Sequence, residues 1–175
     1  MMLAYCRLAG SSGHQAAYAL LEALYRRETG QALPPIRRTD RGKPYFAQGG
    51  LHFSISHTPR HAFCILAQEN VAVDAEESNR PLRPGLAKKI LSPAEYRRCC
   101  AAEDPHQALL CLWVLKEAAA KLTGEGLRGY PNHTDFSPED SRLRQLDGCR
   151  LAILGGDETP LQIFHLTQEG RPYAL

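Results

Sequence analysis

Apolar and polar positions alternate at two periods along this chain, and each change of period marks an element. Residues 2–8 carry a strand-like run, and Gly10-Ser-Ser-Gly13 breaks it. Ala16, Ala17, Leu20, Leu21 and Leu24 then recur at helical spacing, which predicts an amphipathic helix over 13–28, stopped at Gly30. Pro34-Pro35 ends regular structure. Leu51-His-Phe-Ser54-Ile-Ser56-His57 alternates as a half-buried strand does, and Ala62–Ala67 supplies a second strand. Thr58-Pro-Arg-His61 between them makes the pair a predicted hairpin. Val71-Ala-Val73-Asp74-Ala75-Glu76-Glu77 predicts a third strand.

Helical periods return after Pro81 and Pro84. A short helix is expected over 85–91. Ser92-Pro93-Ala94-Glu95 has the form of a capping box with proline in the first turn, and opens a helix over 93–102. Asp104 as N-cap and Pro105 at the first helical position start a longer helix over 105–123, which Gly124 stops. Leu109, Leu112, Trp113 and Leu115 or Lys116 trace its expected apolar stripe. Beyond Gly126 the chain is loop-like, through Gly129-Tyr-Pro131 and Ser137-Pro-Glu139. Cys149–Leu154 and Leu161–Leu166, separated by Gly155-Gly-Asp-Glu-Thr-Pro160, predict a second hairpin, and Tyr173-Ala-Leu175 a last short edge.

Composition narrows the class. The chain has 175 residues, 43% hydrophobic and 23% charged, as expected of a soluble globular protein of one domain or two small lobes. A net charge of +2 gives no bulk electrostatic case for binding nucleic acid or a membrane. No apolar run approaches a membrane span, and the N-terminus lacks the pattern of a signal peptide. Cys6, Cys64, Cys99, Cys100, Cys111 and Cys149 show neither CxxC spacing nor a metal-like rhythm with histidine, which suggests a reducing, cytoplasmic setting.

Two stretches carry candidate chemistry. On a strand, residues two apart point the same way, so Asp74 and Glu76 share a face. Two carboxylates side by side raise each other's pKa unless a partner offsets them. A wet strand end would serve, and so would a divalent cation. All-oxygen donors suit Mg²⁺ or Mn²⁺ rather than zinc. In Trp113-Val-Leu-Lys116-Glu117-Ala-Ala-Ala-Lys121, Glu117 and Lys121 share a helix face, as they would in an ordinary surface ion pair. A third stretch, with Arg37, Arg38, Arg41 and Lys43, reads as a basic, turn-rich loop.

Together these stretches resemble the 4′-phosphopantetheinyl transferase superfamily, in its larger, Sfp-like form. The family's Gly-Ile-Asp-x-Glu strand stands here as Ala72-Val73-Asp74-Ala75-Glu76, with alanine in place of glycine. Its Trp-x-x-Lys-Glu-x-x-x-Lys helix stands as Trp113 to Lys121, followed by Thr123-Gly124-Glu125-Gly126-Leu127. Its Gly-Lys-Pro and Phe-x-x-Ser-His blocks stand as Gly42-Lys43-Pro44 and Phe53-Ser-Ile-Ser56-His57. The match spans about residues 41–127, with three blocks in the family's order.

The resemblance implies an α+β fold of two similar but unequal lobes, each a small, mainly antiparallel sheet packed with helices. The expected lobes are 1–70, shortened relative to the family, and 71–175, carrying the metal and catalytic residues. The implied reaction moves the phosphopantetheine arm of coenzyme A onto a serine of an apo acyl, polyketide or peptidyl carrier protein, releasing adenosine 3′,5′-bisphosphate. By resemblance Asp74, Glu76 and Glu117 hold Mg²⁺, and Lys121 offsets charge on the diphosphate. Glu117 or a water on the ion takes the serine proton, and the resemblance leaves that choice open. Lys43, Ser56 and His57 match positions that grip coenzyme A phosphates; Arg41 joins them as a coenzyme contact by nearness in sequence, and Lys116 is open between a coenzyme contact and a structural residue. Arg83, Lys88, Lys89, Arg97 and Arg98, on or beside the surface stretch 85–101, read either as ordinary solvated charge or as a docking face for an acidic carrier. The expected state is a cytoplasmic monomer. Two other functions remain open: a non-catalytic module binding coenzyme A or carrier, and a Mg²⁺-dependent diphosphate hydrolase.

Overall fold

The computed structural model describes residues 1–126 and 134–173. The expected continuation through Leu127, the stretch 129–132 and the last two residues of the terminal edge lie outside the described residues. The architecture is α+β with mixed sheets packed against helices. The chain divides into two compact units, Met1–Val73 with Gly155–Leu175, and Asp74–Leu154.

The first unit is built on a sheet ordered β4-β5-β1-β9. Its strands are β1 (Met2–Arg7), β4 (His52–His57), β5 (His61–Ala67) and β9 (Gln162–His165). The β4–β5 hairpin forms as its alternation predicts, with Phe53 opposite Leu66 and His57 opposite Ala62. β1 runs antiparallel to β5, and β9 parallel to β1. Helix α1 (Gly13–Thr29) buries Ala16, Ala17, Leu20, Leu21 and Leu24, the residues whose spacing predicted it. They pack with Met2, Ala4 and Cys6 of β1 and with Ala62, Cys64 and Leu66 of β5, the alternate residues on one sheet face. Gly30 takes the left-handed conformation at φ 70° and donates its N–H to Arg26 O, as a glycine C-cap does.

The basic stretch is ordered rather than a plain loop. β2 (Ile36–Arg38) and β3 (Pro44–Phe46) form a two-stranded antiparallel sheet around a turn in which Thr39 N–H donates to Lys43 O. Phe46 anchors it, packed on the rings of Tyr25 and Phe53.

The second expected hairpin does not form. β8 (Cys149–Gly155) pairs instead with β7 (Leu143–Leu146), in a sheet ordered β6-β8-β7 with β6 (Val71–Glu77). Asp147 and Gly148 turn that corner with φ of 49° and 75°. Two successive positive φ values define the hairpin turn that Asp-Gly favours. The Gly155–Pro160 stretch carries the chain to β9, which belongs to the other sheet. The lobes expected over 1–70 and 71–175 therefore differ from the observed units. Pairing with β1 places β9 in the first unit, and the division falls after Val73.

The second unit holds α2 (Leu86–Ile90), α3 (Pro93–Ala101) and α4 (Pro105–Thr123). The Ser92–Glu95 capping box closes in both directions, and Asp104 accepts a hydrogen bond from Gln107 N–H. α4 does not bury a single stripe. Ala108, Leu110, Cys111, Leu112, Val114, Leu115, Ala118, Ala119 and Ala120 are all buried, so the helix is enclosed around most of its girth. Lys116 is enclosed with them, 1% exposed, and pairs with the fully buried Glu95 at 2.9 Å. The other polar atoms are satisfied: Glu95 accepts from Ser92 N–H at 2.8 Å and Phe136 N–H at 2.9 Å, and Lys116 donates to Thr134 O at 3.3 Å.

Removing one partner of such a pair leaves an isolated buried charge. Glu95→Gln and Lys116→Met are each expected to lower unfolding stability by about 3–5 kcal/mol, and the Glu95→Leu/Lys116→Met double variant by distinctly less. Urea denaturation monitored by circular dichroism checks this, and near-additive losses in the double variant would contradict it.

Candidate active site

In the second unit, the strand and the helix that carry the acidic motifs meet. Asp74 and Glu76 are two apart on β6. Trp113, Glu117 and Lys121 are four apart on α4 and so form one stripe. Trp113 donates its indole N–H to Glu76 Oε1 at 3.2 Å. Two turns further along, Lys121 Nζ binds Asp74 Oδ1 at 2.7 Å. Glu117 lies between these contacts on the same stripe.

The electrostatics of Glu117 follow from that placement. Its pKa is raised from 4.5 to about 7, first by burial and then by the neighbouring Asp74 charge. Lys121 and Arg80 pull in the opposite direction without cancelling the rise. Three carboxylates therefore share two nearby cations. Arg80 binds Glu76 Oε1 directly through its guanidinium. Glu76 is thus held by one neutral donor, Trp113, and one charged one.

The expected ligand set is brought onto one strand–helix pair but not onto one point. Among the described residues, no three His, Cys, Asp or Glu side chains are gathered closely enough to hold an ion. Asp74 and Glu76 are engaged by Lys121 and Arg80 instead. The donor chemistry nevertheless fits Mg²⁺ or Mn²⁺. All the donors are carboxylate oxygens, and burial, with the neighbouring Asp74 charge second, raises the pKa of Glu117 to about 7.

Two residues differ from the sequence expectation. Lys116, expected among the coenzyme contacts, is buried against Glu95 and is part of the core of the second unit. Trp113, which reads as an apolar-stripe residue, also orients Glu76. Arg80 was not foreseen. It follows β6 in the turn Ser78-Asn-Arg80-Pro81, and no spacing rule places such a residue over Glu76.

The other expected coenzyme contacts lie in the first unit. Ser56 is buried near the end of β4, and His57 is exposed at that end. The His57 ring lies against the start of α1, where a Cβ added to Gly13 would come 2.8 Å from Cγ and 2.9 Å from Nδ1. Lys43 donates to Asn70 Oδ1 at 2.8 Å, and partial burial lowers its pKa. Arg41 is exposed in the β2–β3 turn.

A sequence model of the 4′-phosphopantetheinyl transferase superfamily matches residues 70–174, and the chain belongs to that superfamily. It is 35% identical over 92 residues to the 4′-phosphopantetheinyl transferase of Bacillus subtilis, covering 49% of this chain and 39% of that protein. It is 34% identical over 99 residues to 4′-phosphopantetheinyl transferase HetI of Nostoc sp. (50% and 40%). It is 33% identical over 105 residues to 4′-phosphopantetheinyl transferase psf-1 of Bacillus pumilus (58% and 45%). The matches thus span less than half the length of these relatives.

A carboxyl with a raised folded-state pKa binds its proton more tightly in the folded chain. Its contribution to stability is present below 4.5 and is lost as pH rises through about 7. In metal-free buffer the melting temperature is expected to fall between pH 5 and 7.5, and Glu117→Gln to flatten that slope. A wild-type and a variant profile of equal slope would refute the assignment.

Proposed function

We propose that the protein transfers the 4′-phosphopantetheine arm of coenzyme A to a serine of an apo carrier protein. The observation that carries this reading is the meeting of β6 and α4, where Asp74 binds Lys121 and Glu76 binds Trp113 around Glu117. In the reaction the serine oxygen forms a bond to the β-phosphorus of the coenzyme diphosphate. The phosphorus–oxygen bond to the adenosine side breaks, and adenosine 3′,5′-bisphosphate leaves.

Asp74, Glu76 and Glu117 would hold Mg²⁺ or Mn²⁺. When bound, the ion neutralises charge on the diphosphate. Glu117 is the chain's own candidate for the serine proton, since a carboxyl poised near 7 can accept one at neutral pH. Lys121 is half-exposed beside Asp74 and can turn its ammonium toward the leaving phosphate. In the first unit, His57, Ser56, Lys43 and Arg41 would bind the coenzyme phosphates. Lys116 has no part in binding, because its ammonium is committed to Glu95.

The partner is an acidic carrier. Arg83, Lys88, Lys89, Arg97 and Arg98 are all exposed on and before α2 and α3, and such a field speeds encounter with a negatively charged surface. The protein acts as a monomer in the cytoplasm, a setting that suits six free cysteines. Among the described residues no helix is long and apolar enough to cross a membrane.

The test is labelling of a panel of purified apo carriers with fluorescent coenzyme A and Mg²⁺. Labelling is expected with wild type and is expected to drop by about 10²–10³-fold in Asp74→Ala and Glu117→Ala. A folded protein that labels no carrier would refute the transferase reading. Release of adenosine 3′,5′-bisphosphate without a carrier would point to a diphosphate hydrolase.

A further inference from the structure

Arg80 stands outside the motifs, yet its guanidinium reaches the acidic cluster twice, in direct contact with Glu76 and through its charge on Glu117. Its backbone is pinned while its side chain is partly exposed. The Arg80 N–H donates to Glu77 O at 2.9 Å, and the Arg80 carbonyl is hydrogen-bonded to His106 Nε2 at 2.9 Å. The preceding Ser78 is tied to Gly148 O through its N–H and to Gln107 Nε2 through its carbonyl. The Arg80 side chain itself is 43% exposed. A fixed base and an exposed head allow the guanidinium to leave Glu76 without disturbing the turn.

We propose that Arg80 is an exchangeable counter-cation: it holds Glu76 until a divalent cation takes that carboxylate, and then binds the diphosphate of the coenzyme. This rests on the transferase reading above. A cation and a metal ion compete for the same carboxylate charge, so Arg80 opposes metal binding. Trp113 does not compete, because its neutral N–H keeps Glu76 oriented without offsetting its charge. Once displaced, the guanidinium carries paired donors that match phosphate oxygens. Arg80 therefore weakens metal binding in the free protein and strengthens binding of the diphosphate.

The two effects have opposite signs, which a purely structural role would not produce. Mn²⁺ binding to the coenzyme-free protein can be followed by electron paramagnetic resonance, and coenzyme A binding at saturating Mg²⁺ by calorimetry. Arg80→Gln is expected to bind Mn²⁺ about threefold more tightly, the scale of one exposed ion pair. The same variant is expected to bind coenzyme A about tenfold more weakly, and Arg80→Lys to fall between it and wild type. Constants that weaken together, or do not move, overturn the proposal. If circular dichroism shows Arg80→Gln unfolded, Arg80→Lys decides alone by the same opposite shifts. Wild type that binds neither Mn²⁺ nor coenzyme A would refute the transferase reading itself. Wild type that binds both, with variants shifted in parallel, refutes only the role of Arg80.

Discussion

The rotation of α4 about its own axis is set by one buried ion pair. Lys116 and Glu117 are neighbours in sequence, about 100° apart around the helix. Lys116 points inward and is fixed by Glu95, which is fixed in turn by the Ser92 and Phe136 N–H groups. Glu117 is thereby turned toward the β6 carboxylates. Because the rest of the helix surface is also packed, no small rotation is available to relieve the repulsion between Glu117 and Asp74. The core of the second unit thus imposes the electrostatic strain at the site.

On the proposed reading, that strain has a chemical use. A protein surface would normally separate three carboxylates or let water screen them. Here Asp74 is buried and Glu76 and Glu117 are partly buried on one strand–helix pair, with Lys121 bound to Asp74 and Arg80 to Glu76. On the proposed reading, carboxylate oxygens brought to one strand–helix pair suit a small, hard cation. The same reasoning explains the type of donors around it. Neutral Trp113 orients Glu76 without removing the charge on which that receptivity depends.

Much of this was legible in the sequence, and the failures have definite causes. Helices α1, α3 and α4 follow from apolar spacing and from caps at Ser92, Asp104, Gly30 and Gly124, all local signals. Asp74 and Glu76 share a strand and Glu117 and Lys121 a helix, as their periods predict, while their reading as one site comes from the family resemblance and not from spacing. Asp147-Gly148 was a hairpin signal that the longer glycine-rich stretch at 155–160 overshadowed. The pairing of β9 with β1 has no local signal, since it joins distant parts of the chain. Lys116 misleads because its charge suggests solvent, and only the buried Glu95 explains its place. Arg80 depends on the path of a turn, which residue spacing does not encode.

The parallel pairing of β1 with β9 bears on how the molecule is made. All of residues 74–154 lie between the two strands that it joins. During synthesis the second unit is contiguous and can condense as soon as it leaves the ribosome. The sheet of the first unit waits for residues 162–165 before its fourth strand is in place. Until residues 162–165 are made, β1 presents an open edge on the side away from β5.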